Sequence, residues 1–226
     1  MNHPFLFCLA RIYPLKCANN RFFNDHEHEY YEDNLSRAFA LCLKYDTVLL
    51  DNILKQILGP DSYSLLFNTD NPDYFISIDL QKHTTELGEY SRIIAVACSG
   101  SEINIDRNSD IVSQPPENPR TDVCIEINDT CIIFEFKRSG EDCTAQLKGQ
   151  AETIQKNCGT ETEITYVDLC WEKIVKSLLN VLSLQMQINS ENQFSSDFRN
   201  FLEKKHPEWF PQRLLANIVF PTSSDE

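Results

Sequence analysis

Three side chains near the middle of the chain are of the types that metal-dependent hydrolysis uses. Asp122 stands just before the apolar run VCIEI, and the run TCIIFEFK ends with Glu135 and Lys137. Magnesium prefers oxygen ligands and keeps several of its waters, so one or two carboxylates suffice for a site. A lysine beside them could orient an attacking water and offset the charge of a phosphate. The three residues therefore predict a site for a divalent cation, if the fold brings them together.

A hairpin turning at Asn128-Asp129 would bring them together. This dipeptide tolerates the positive φ angles of a tight turn, and runs rich in β-branched and aromatic residues flank it. With a two-residue turn, the register places Asp122 opposite Glu135, where Cβ atoms are about 4.5–5.5 Å apart and like charges repel. Lys137 shares that face because it lies two residues beyond Glu135. Two carboxylates and an amine held this closely indicate a bound cation.

The two faces of this hairpin are expected to differ. One face is wholly apolar and should be buried in the core, whereas the other carries the charged residues. Glu126 shares the face of Asp122, but it stands beside the turn and is expected to be solvated. The apolar face consists of Val123, Ile125, Ile127, Ile132, Phe134 and Phe136.

The composition predicts one folded domain in a reducing compartment. The chain has 226 residues, 42% of them hydrophobic, which is enough to bury a substantial core. It contains no apolar run of the ~20 residues that span a bilayer, and its start lacks the features of a signal peptide, so no membrane contact is expected. Nine cysteines form no C-x-x-C pair, which favours free thiols and a cytoplasmic location. Four of them fall within apolar patterns: Cys42, Cys124, Cys131 and Cys170.

The charge of the chain weighs against direct attraction to nucleic acid. The formal net charge is −14, and the segments 1–120 and 121–226 carry 10 basic and 17 acidic residues each. An evenly acidic surface repels phosphate at long range. A nucleic-acid ligand would therefore need a metal ion, a local basic patch or a basic partner.

Strand patterns on either side of the hairpin complete a central mixed sheet. The run 90–98 is nearly all apolar, which indicates a strand buried on both faces. A strand at 164–167 follows a predicted helix and would return parallel to the strands before it. Further strand patterns occur at 64–67 and 74–80, and the stretch 5–13 fits either a strand or a short helix.

Helical periodicity places helices beside this sheet, so the predicted fold class is α/β, with a central mixed sheet flanked by helices. Gly59-Pro60 is expected to end the second helix, and a polar loop occupies 99–120. We expect one domain over 1–226, with a core at about 28–168 and a helical extension at 169–226. The predicted helices start at about residue 28 and cover 48–58, 141–156, 171–186 and 194–204.

The order of these elements, with Asp on the first arm of a hairpin and Glu-x-Lys on the second, resembles the PD-(D/E)xK superfamily of restriction-endonuclease-like nucleases. Thr121-Asp122 matches the family's Pro-Asp, with threonine in place of a proline that carries no chemistry. Glu135-Phe136-Lys137 matches the Glu-x-Lys, and Glu32 resembles the helical glutamate that often adds a metal contact. Gln146 resembles the glutamine of the Gln-x-x-x-Tyr element of RecB-type relatives, with Gln150 where that element has tyrosine.

This resemblance implies a restriction-endonuclease-like core and a Mg²⁺- or Mn²⁺-dependent endonuclease acting on DNA, with RNA left open. Asp122 and Glu135 would hold the metal, and the Phe136 carbonyl and Glu32 would add to its ligands. Lys137 would orient or polarise the attacking water. Gln146 would complete the catalytic residues by forming a hydrogen bond to that water or to Lys137.

The resemblance also implies a biological setting. Small nucleases of this type are similar to enzymes of bacterial anti-phage defence or of mobile elements. The acidity of the chain suggests that a larger complex or a basic partner delivers the DNA. The sequence does not determine the oligomeric state, and a dimer is one of the arrangements left open.

Each of these residues also has a simpler interpretation. Asp122 could merely begin a strand, and Glu135 and Lys137 could form a solvated strand face. Glu32 could serve only the helix dipole, and Gln146 could be an exposed helix residue. At the level of function, the alternative is a non-catalytic module, either an acidic inhibitor that mimics DNA or a nuclease fold kept as a scaffold.

Overall fold

In the part of the chain that the structure describes, five strands form one mixed sheet, which confirms the predicted α/β class. A computed structural model of the chain describes residues 31–67, 75–101, 103, 105, 120–138, 141–159 and 161–211. The strands are β1 Ile76–Leu80, β2 Arg92–Cys98, β3 Val123–Ile127, β4 Thr130–Phe136 and β5 Glu163–Asp168. Their order across the sheet is β1-β3-β4-β2-β5. The stretch 5–13 and most of the loop 99–120 lie outside the described residues.

The strand directions follow from the connections between strands. β3 and β4 are antiparallel neighbours joined by the two-residue turn Asn128-Asp129, where Asn128 has a positive φ of 51°. β4 connects through a helix, α3 (Thr144–Cys158), to β5, and both strands run parallel to β2, which lies between them. Parallel strands need such a crossover because a tight turn cannot join them. The predicted hairpin and the predicted parallel return strand are both confirmed.

Helices cover both faces of the sheet. Besides α3, they are α1 Tyr31–Tyr45, α2 Thr47–Leu66, α4 Trp171–Gln187 and α5 Gln193–Lys205. α1, α2, α4 and α5 contribute to one hydrophobic core, and α3 contributes to a second core on the other face. No helix in the described part of the chain is long and apolar enough to cross a lipid bilayer.

Aromatic side chains lie at the centre of the larger core, between α1 and the hairpin. Phe39 on α1 is fully buried, and its ring centroid lies 5.6 Å from that of Phe134 and 5.4 Å from that of Phe136 on β4. Trp171 at the start of α4 stacks on Phe136 at 5.3 Å. Rings at these distances add to the free energy gained from burying their area. This core fixes α1 and α4 against β4, the strand that carries the predicted site.

The other face of the hairpin is also buried over most of its length, which corrects the expectation of a charged face. Cys124, Cys131 and Ile133 are fully buried and pack in one cluster with Leu147 and Ile154 of α3. The expectation is wrong for the middle of the hairpin because the crossover helix lies over it, so both faces of these strands are covered. Charged side chains remain on this face only near its two ends.

α2 corrects two expectations for the segment after residue 58. Gly59 has a φ of 71°, outside the helical region, and the chain resumes as a helix at Pro60 and continues to Leu66. Proline suits the first turn of a helix because it has no N–H to satisfy there. The break predicted at Gly59-Pro60 is therefore a kink within α2. The strand predicted at 64–67 is wrong, since 64–66 is helical.

The four cysteines that lie in apolar patterns are buried free thiols, as predicted. Among the described residues, Cys42, Cys124, Cys131 and Cys170 form no disulfide. Burial raises the pKa of the Cys42 thiol, so that side chain stays protonated at neutral pH. Buried thiols of this kind behave as small apolar side chains.

Asp46 joins three helices, and its loss is expected to destabilise the fold strongly. Its Oδ1 atom caps α2 by accepting hydrogen bonds from the N–H groups of Val48 at 3.1 Å and Leu49 at 3.0 Å. Its Oδ2 atom accepts from Gln185 Nε2 of α4 at 2.9 Å and from Ser195 Oγ of α5 at 2.5 Å. Because Asp46→Ala would leave buried donors unpaired, we expect it to lower the free energy of unfolding by about 2–4 kcal/mol, measured by urea unfolding.

A surface ion pair provides the control for Asp46. Glu203 pairs with Arg199 at 3.2 Å, and the Glu203 side chain is 52% exposed. Exposed pairs of this kind contribute little, so Glu203→Ala should cost less than about 1 kcal/mol. Equal costs for the two variants would contradict the role assigned to Asp46.

Candidate metal site

The hairpin has the predicted register. Backbone pairing between β3 and β4 starts with Val123 opposite Phe134, so the same register puts Asp122 opposite Glu135. The Asp122 carboxylate turns toward β4, where its Oδ2 atom accepts a hydrogen bond from the N–H of Phe136 at 2.8 Å. The two carboxylates therefore lie at the same end of the hairpin. The prediction on which the site depends, a two-residue turn, is confirmed.

Lys137 and Glu32 extend this pair. Lys137 Nζ donates to Glu135 Oε1 at 3.0 Å and lies 3.8 Å from Glu32 Oε2, on the first turn of α1. The Glu135 side chain is 2% exposed and that of Lys137 is 17% exposed, whereas Glu32 is 44% exposed. Glu32 thus reaches Lys137 from the solvent side. We call the four residues Glu32, Asp122, Glu135 and Lys137 the hairpin site.

A glutamine of α3 contacts the hairpin site, but it is not the predicted one. Gln150 is fully buried, and its Nε2 atom donates to Glu135 Oε2 at 3.0 Å. Gln146 lies one turn earlier and is half-buried, since the side of α3 that packs on the sheet includes Leu147 and Gln150. In the described part of the chain, the Lys137 amine contacts glutamates and not Gln146. The predicted hydrogen bond from Gln146 to Lys137 is therefore not formed, whereas the alternative, a hydrogen bond from Gln146 to the attacking water, stays a prediction.

Backbone and ring contacts fix Lys137 at the end of β4. Its N–H donates to the carbonyl of Cys98, at the end of β2, at 2.8 Å. Its own carbonyl accepts a hydrogen bond from Trp171 Nε1 at 3.2 Å. The hairpin site therefore lies at the carboxyl ends of two neighbouring parallel strands. Open α/β sheets commonly bind their ligands along this edge.

The hairpin site concentrates negative charge where burial disfavours it. Burial and the charge of Glu135 raise the pKa of Asp122 to about 7, although the Phe136 N–H and Lys137 oppose this. Burial also raises the pKa of Glu135, against the stabilising contacts of Lys137 and Gln150. Burial alone would lower the pKa of Lys137, but the carboxylates around it outweigh burial and raise it. A cation beside Asp122 would relieve the repulsion between the carboxylates.

The donor set suits a small hard cation that keeps several waters. Among the residues that the structure describes, no three or more His, Cys, Asp or Glu side chains are grouped so as to hold a metal ion. The hairpin site offers two opposed carboxylates, Asp122 and Glu135, which is enough for Mg²⁺ when waters or substrate oxygens fill the other positions. The Phe136 carbonyl and Glu32 stay predicted ligands.

Glu126 forms a second ion pair at the turn end of the same hairpin face. It is half-buried, pairs with Lys82 and accepts hydrogen bonds from Tyr90 and Ser77. Burial would raise the pKa of Glu126, but these partners hold it below its ordinary value. The expectation that Glu126 is solvated is wrong because the segments around Lys82 and Tyr90, distant in sequence, fold against β3. Its charge is already balanced by its own partners.

Two residues at the hairpin site, Gln150 and Trp171, were not predicted to take part in it. Gln150 stands where the resembled element has a tyrosine, so the resemblance assigns it no role at the site, yet it lies on the buried side of α3. Trp171 has a ring typical of a core residue. Its residue type does not reveal that its indole N–H donates a hydrogen bond to the Lys137 carbonyl. The spacing of four residues from Gln146, about one helical turn, is the signal that could have indicated Gln150.

Comparison with known proteins adds no relative. No protein-family model, no curated protein and no solved structure matches the chain. The resemblance to PD-(D/E)xK nucleases therefore rests on the hairpin and helix residues quoted above. The function proposed below depends on the geometry and chemistry of the hairpin site.

Proposed function

We propose that the chain is a metal-dependent nuclease of the PD-(D/E)xK type, which hydrolyses phosphodiester bonds in DNA. The observation that carries this proposal is the opposed pair Asp122 and Glu135, with Lys137 hydrogen-bonded to Glu135 at the end of β4. Such a group can hold a divalent cation and also offset the charge of a phosphate. The mixed sheet, with helices on both faces, supports a restriction-endonuclease-like core.

Each residue of the hairpin site would have a distinct role in hydrolysis. Asp122 and Glu135 would hold Mg²⁺ or Mn²⁺, with the Phe136 carbonyl and Glu32 as further ligands. The ion, when bound, would stabilise charge on the phosphate and lower the pKa of an attacking water. In the metal-free protein the carboxylates around Lys137 raise its pKa, which keeps the amine protonated at neutral pH. Lys137 would orient or polarise the attacking water and offset phosphate charge.

The acidity of the chain bears on how it would meet DNA. A net charge of −14 repels the phosphate backbone at long range. A metal ion at the hairpin site would supply positive charge only locally, so a larger complex or a basic partner would deliver the substrate. Bacterial anti-phage defence or a mobile element is the setting that the resemblance implies.

A non-catalytic acidic module is the second candidate, and the same net charge of −14 favours it. Such a protein would bind a basic partner through its surface, either by mimicking DNA or by using the nuclease fold as a scaffold. It would need neither a divalent cation nor the Lys137 amine. Cleavage assays therefore separate the two candidates.

Lys137→Met tests the nuclease proposal directly. The change keeps much of the side-chain length but removes the amine that contacts Glu135 and Glu32. Because a positioned proton donor typically contributes about 10²–10⁴-fold to rate, we expect plasmid cleavage to slow by at least about 10²-fold. The assay follows nicking and linearisation of supercoiled plasmid with Mg²⁺ or Mn²⁺, with EDTA as the metal-free reference and RNA as a second substrate.

Lys82→Met is the matched control. It also removes a lysine paired with a glutamate on the same hairpin face, but at the turn end. Its cleavage rate should stay close to that of the unmutated protein. Cleavage by Lys137→Met at the unmutated rate would contradict the role of Lys137. If the unmutated protein cleaves neither DNA nor RNA with any metal, alone or with candidate partners, the nuclease proposal fails.

A further inference from the structure

Gln150 connects the two chain segments that carry the opposed carboxylates. Its Nε2 atom donates to Glu135 Oε2 on β4 at 3.0 Å. The same atom donates to the carbonyl of Arg120, two residues before Asp122, at 2.9 Å. The Gln150 side chain extends from α3 and is fully buried, so a single buried amide contacts both segments.

The orientation of this amide is determined by its neighbours. The Arg120 carbonyl and the Glu135 carboxylate are both acceptors, so only the NH₂ end of Gln150 can face them. A flipped amide would place its oxygen against two other oxygens. The Oε1 atom of Gln150 is buried and has no hydrogen-bond partner within the described residues. An unpaired buried acceptor destabilises a fold, so packing alone would favour an apolar side chain here.

The two oxygens of Glu135 have different donors. Oε1 accepts from Lys137, just past the end of β4, at 3.0 Å, and Oε2 accepts from Gln150 on α3 at 3.0 Å. Contacts from two elements fix the rotation of the carboxylate. A carboxylate that is already oriented loses less conformational freedom when it binds a cation.

We infer that Gln150 is a positioning residue of the hairpin site, which holds Glu135 and the segment leading to Asp122 in the geometry that a divalent cation requires. The inference rests on the proposed metal-dependent function. Gln150 acts through Glu135 and the Arg120 backbone, and it is not itself a ligand. Loss of hydrogen-bond partners of metal ligands typically reduces metal affinity or activity by about 10–100-fold.

Titration of the Gln150→Met protein with Mn²⁺ tests this role. Methionine is similar in length and removes the two hydrogen bonds together with the unpaired oxygen, so the fold should persist, as thermal unfolding would verify. We expect the Kd for Mn²⁺ to rise by about 10–100-fold. With DNA as substrate at saturating metal, kcat should fall while KM changes little.

Gln155→Met is the matched control on the same helix. Gln155 Nε2 also donates to a backbone carbonyl, that of Thr162, at 2.7 Å. Thr162 lies just before the start of β5, whereas the hairpin site lies at the carboxyl ends of β4 and β2. This variant should bind Mn²⁺ like the unmutated protein. In the metal-free protein, NMR should show slow solvent exchange of the Gln150 amide protons, and faster exchange in Glu135→Leu.

The outcomes separate this inference from the nuclease proposal. If the unmutated protein binds Mn²⁺ and Gln150→Met binds it equally well, the inference is overturned while the nuclease proposal stands. An equal loss of affinity in Gln155→Met would also overturn it, because the effect would then belong to α3 in general. Unmutated protein that binds no Mn²⁺ and cleaves no nucleic acid would overturn both.

Discussion

Asp122→Asn is expected to abolish metal-dependent cleavage while stabilising the metal-free protein. Asparagine keeps an oxygen that can accept the hydrogen bond from the Phe136 N–H, at 2.8 Å in the unmutated chain. The change removes the negative charge of Asp122. That charge would attract a divalent cation, and the charge of Glu135 repels it. Plasmid cleavage should therefore fall below detection, and added Mg²⁺ should raise the Tm of the unmutated protein but not that of the variant.

The same variant should change how stability depends on pH. Burial and Glu135 raise the pKa of Asp122 to about 7 in the folded chain, so the folded protein keeps a proton that the unfolded chain has already released. Stability therefore falls as pH rises from the unfolded pKa toward 7. We expect the unmutated metal-free protein to lose about 2–3 kcal/mol between pH 5 and pH 8 through this group. Urea unfolding at both pH values should show a smaller loss in Asp122→Asn.

Glu126→Gln is the control for Asp122. Glu126 lies on β3, on the same hairpin face as Asp122. Lys82 and its other partners lower the pKa of Glu126, so its contribution to stability is lost when pH falls and not when it rises. This variant should cleave at close to the unmutated rate. Cleavage by Asp122→Asn at that rate would contradict its role as a ligand. An unchanged pH dependence of unfolding in Asp122→Asn would contradict the charge repulsion.

Phe39→Ala is expected to lower the free energy of unfolding by about 3–5 kcal/mol, the usual cost of removing a buried aromatic ring. The Phe39 ring contacts Phe134, Phe136 and Trp171, so the change opens a cavity among α1, α4 and β4. The loss is a large part of a total stability of about 5–15 kcal/mol. Urea unfolding measures it, and cleavage should fall as well because α1 carries Glu32.

Tyr45→Ala provides the comparison on the same helix. Tyr45 is 50% exposed and stacks on Phe194 at 4.5 Å, outside the main core. Its removal should cost less than about 1.5 kcal/mol. If Phe39→Ala costs no more than Tyr45→Ala, the aromatic core does not hold α1 against the hairpin as described.

The hairpin could be predicted from sequence because its signals are local. Asn128-Asp129 selects a two-residue turn, and strand alternation then assigns every side chain of β3 and β4 to a face. The opposition of Asp122 and Glu135 follows from that register alone. The sheet class could be predicted for a similar reason, since a helix between two strand patterns indicates a parallel crossover.

Other features depend on contacts between distant segments, and the sequence did not indicate them. Glu126 is paired because Lys82 and Tyr90 fold against β3, and no spacing rule connects these residues. Gln150 reaches Glu135 only because α3 crosses the hairpin. The segment 64–67 has residues suited to a strand, and its helical state follows from a restart at Pro60. In each case tertiary contacts or a single backbone angle outweighed the local pattern.

The most direct test of the hairpin site is an anomalous difference map from a crystal grown with Mn²⁺. We expect a peak between the carboxylates of Asp122 and Glu135, at the ligand distances of about 2.0–2.3 Å typical of small divalent cations. The peak should be lost in Asp122→Asn crystals. A map with no peak at the hairpin site, or a peak that persists in the variant, would show that Asp122 and Glu135 do not form a metal site.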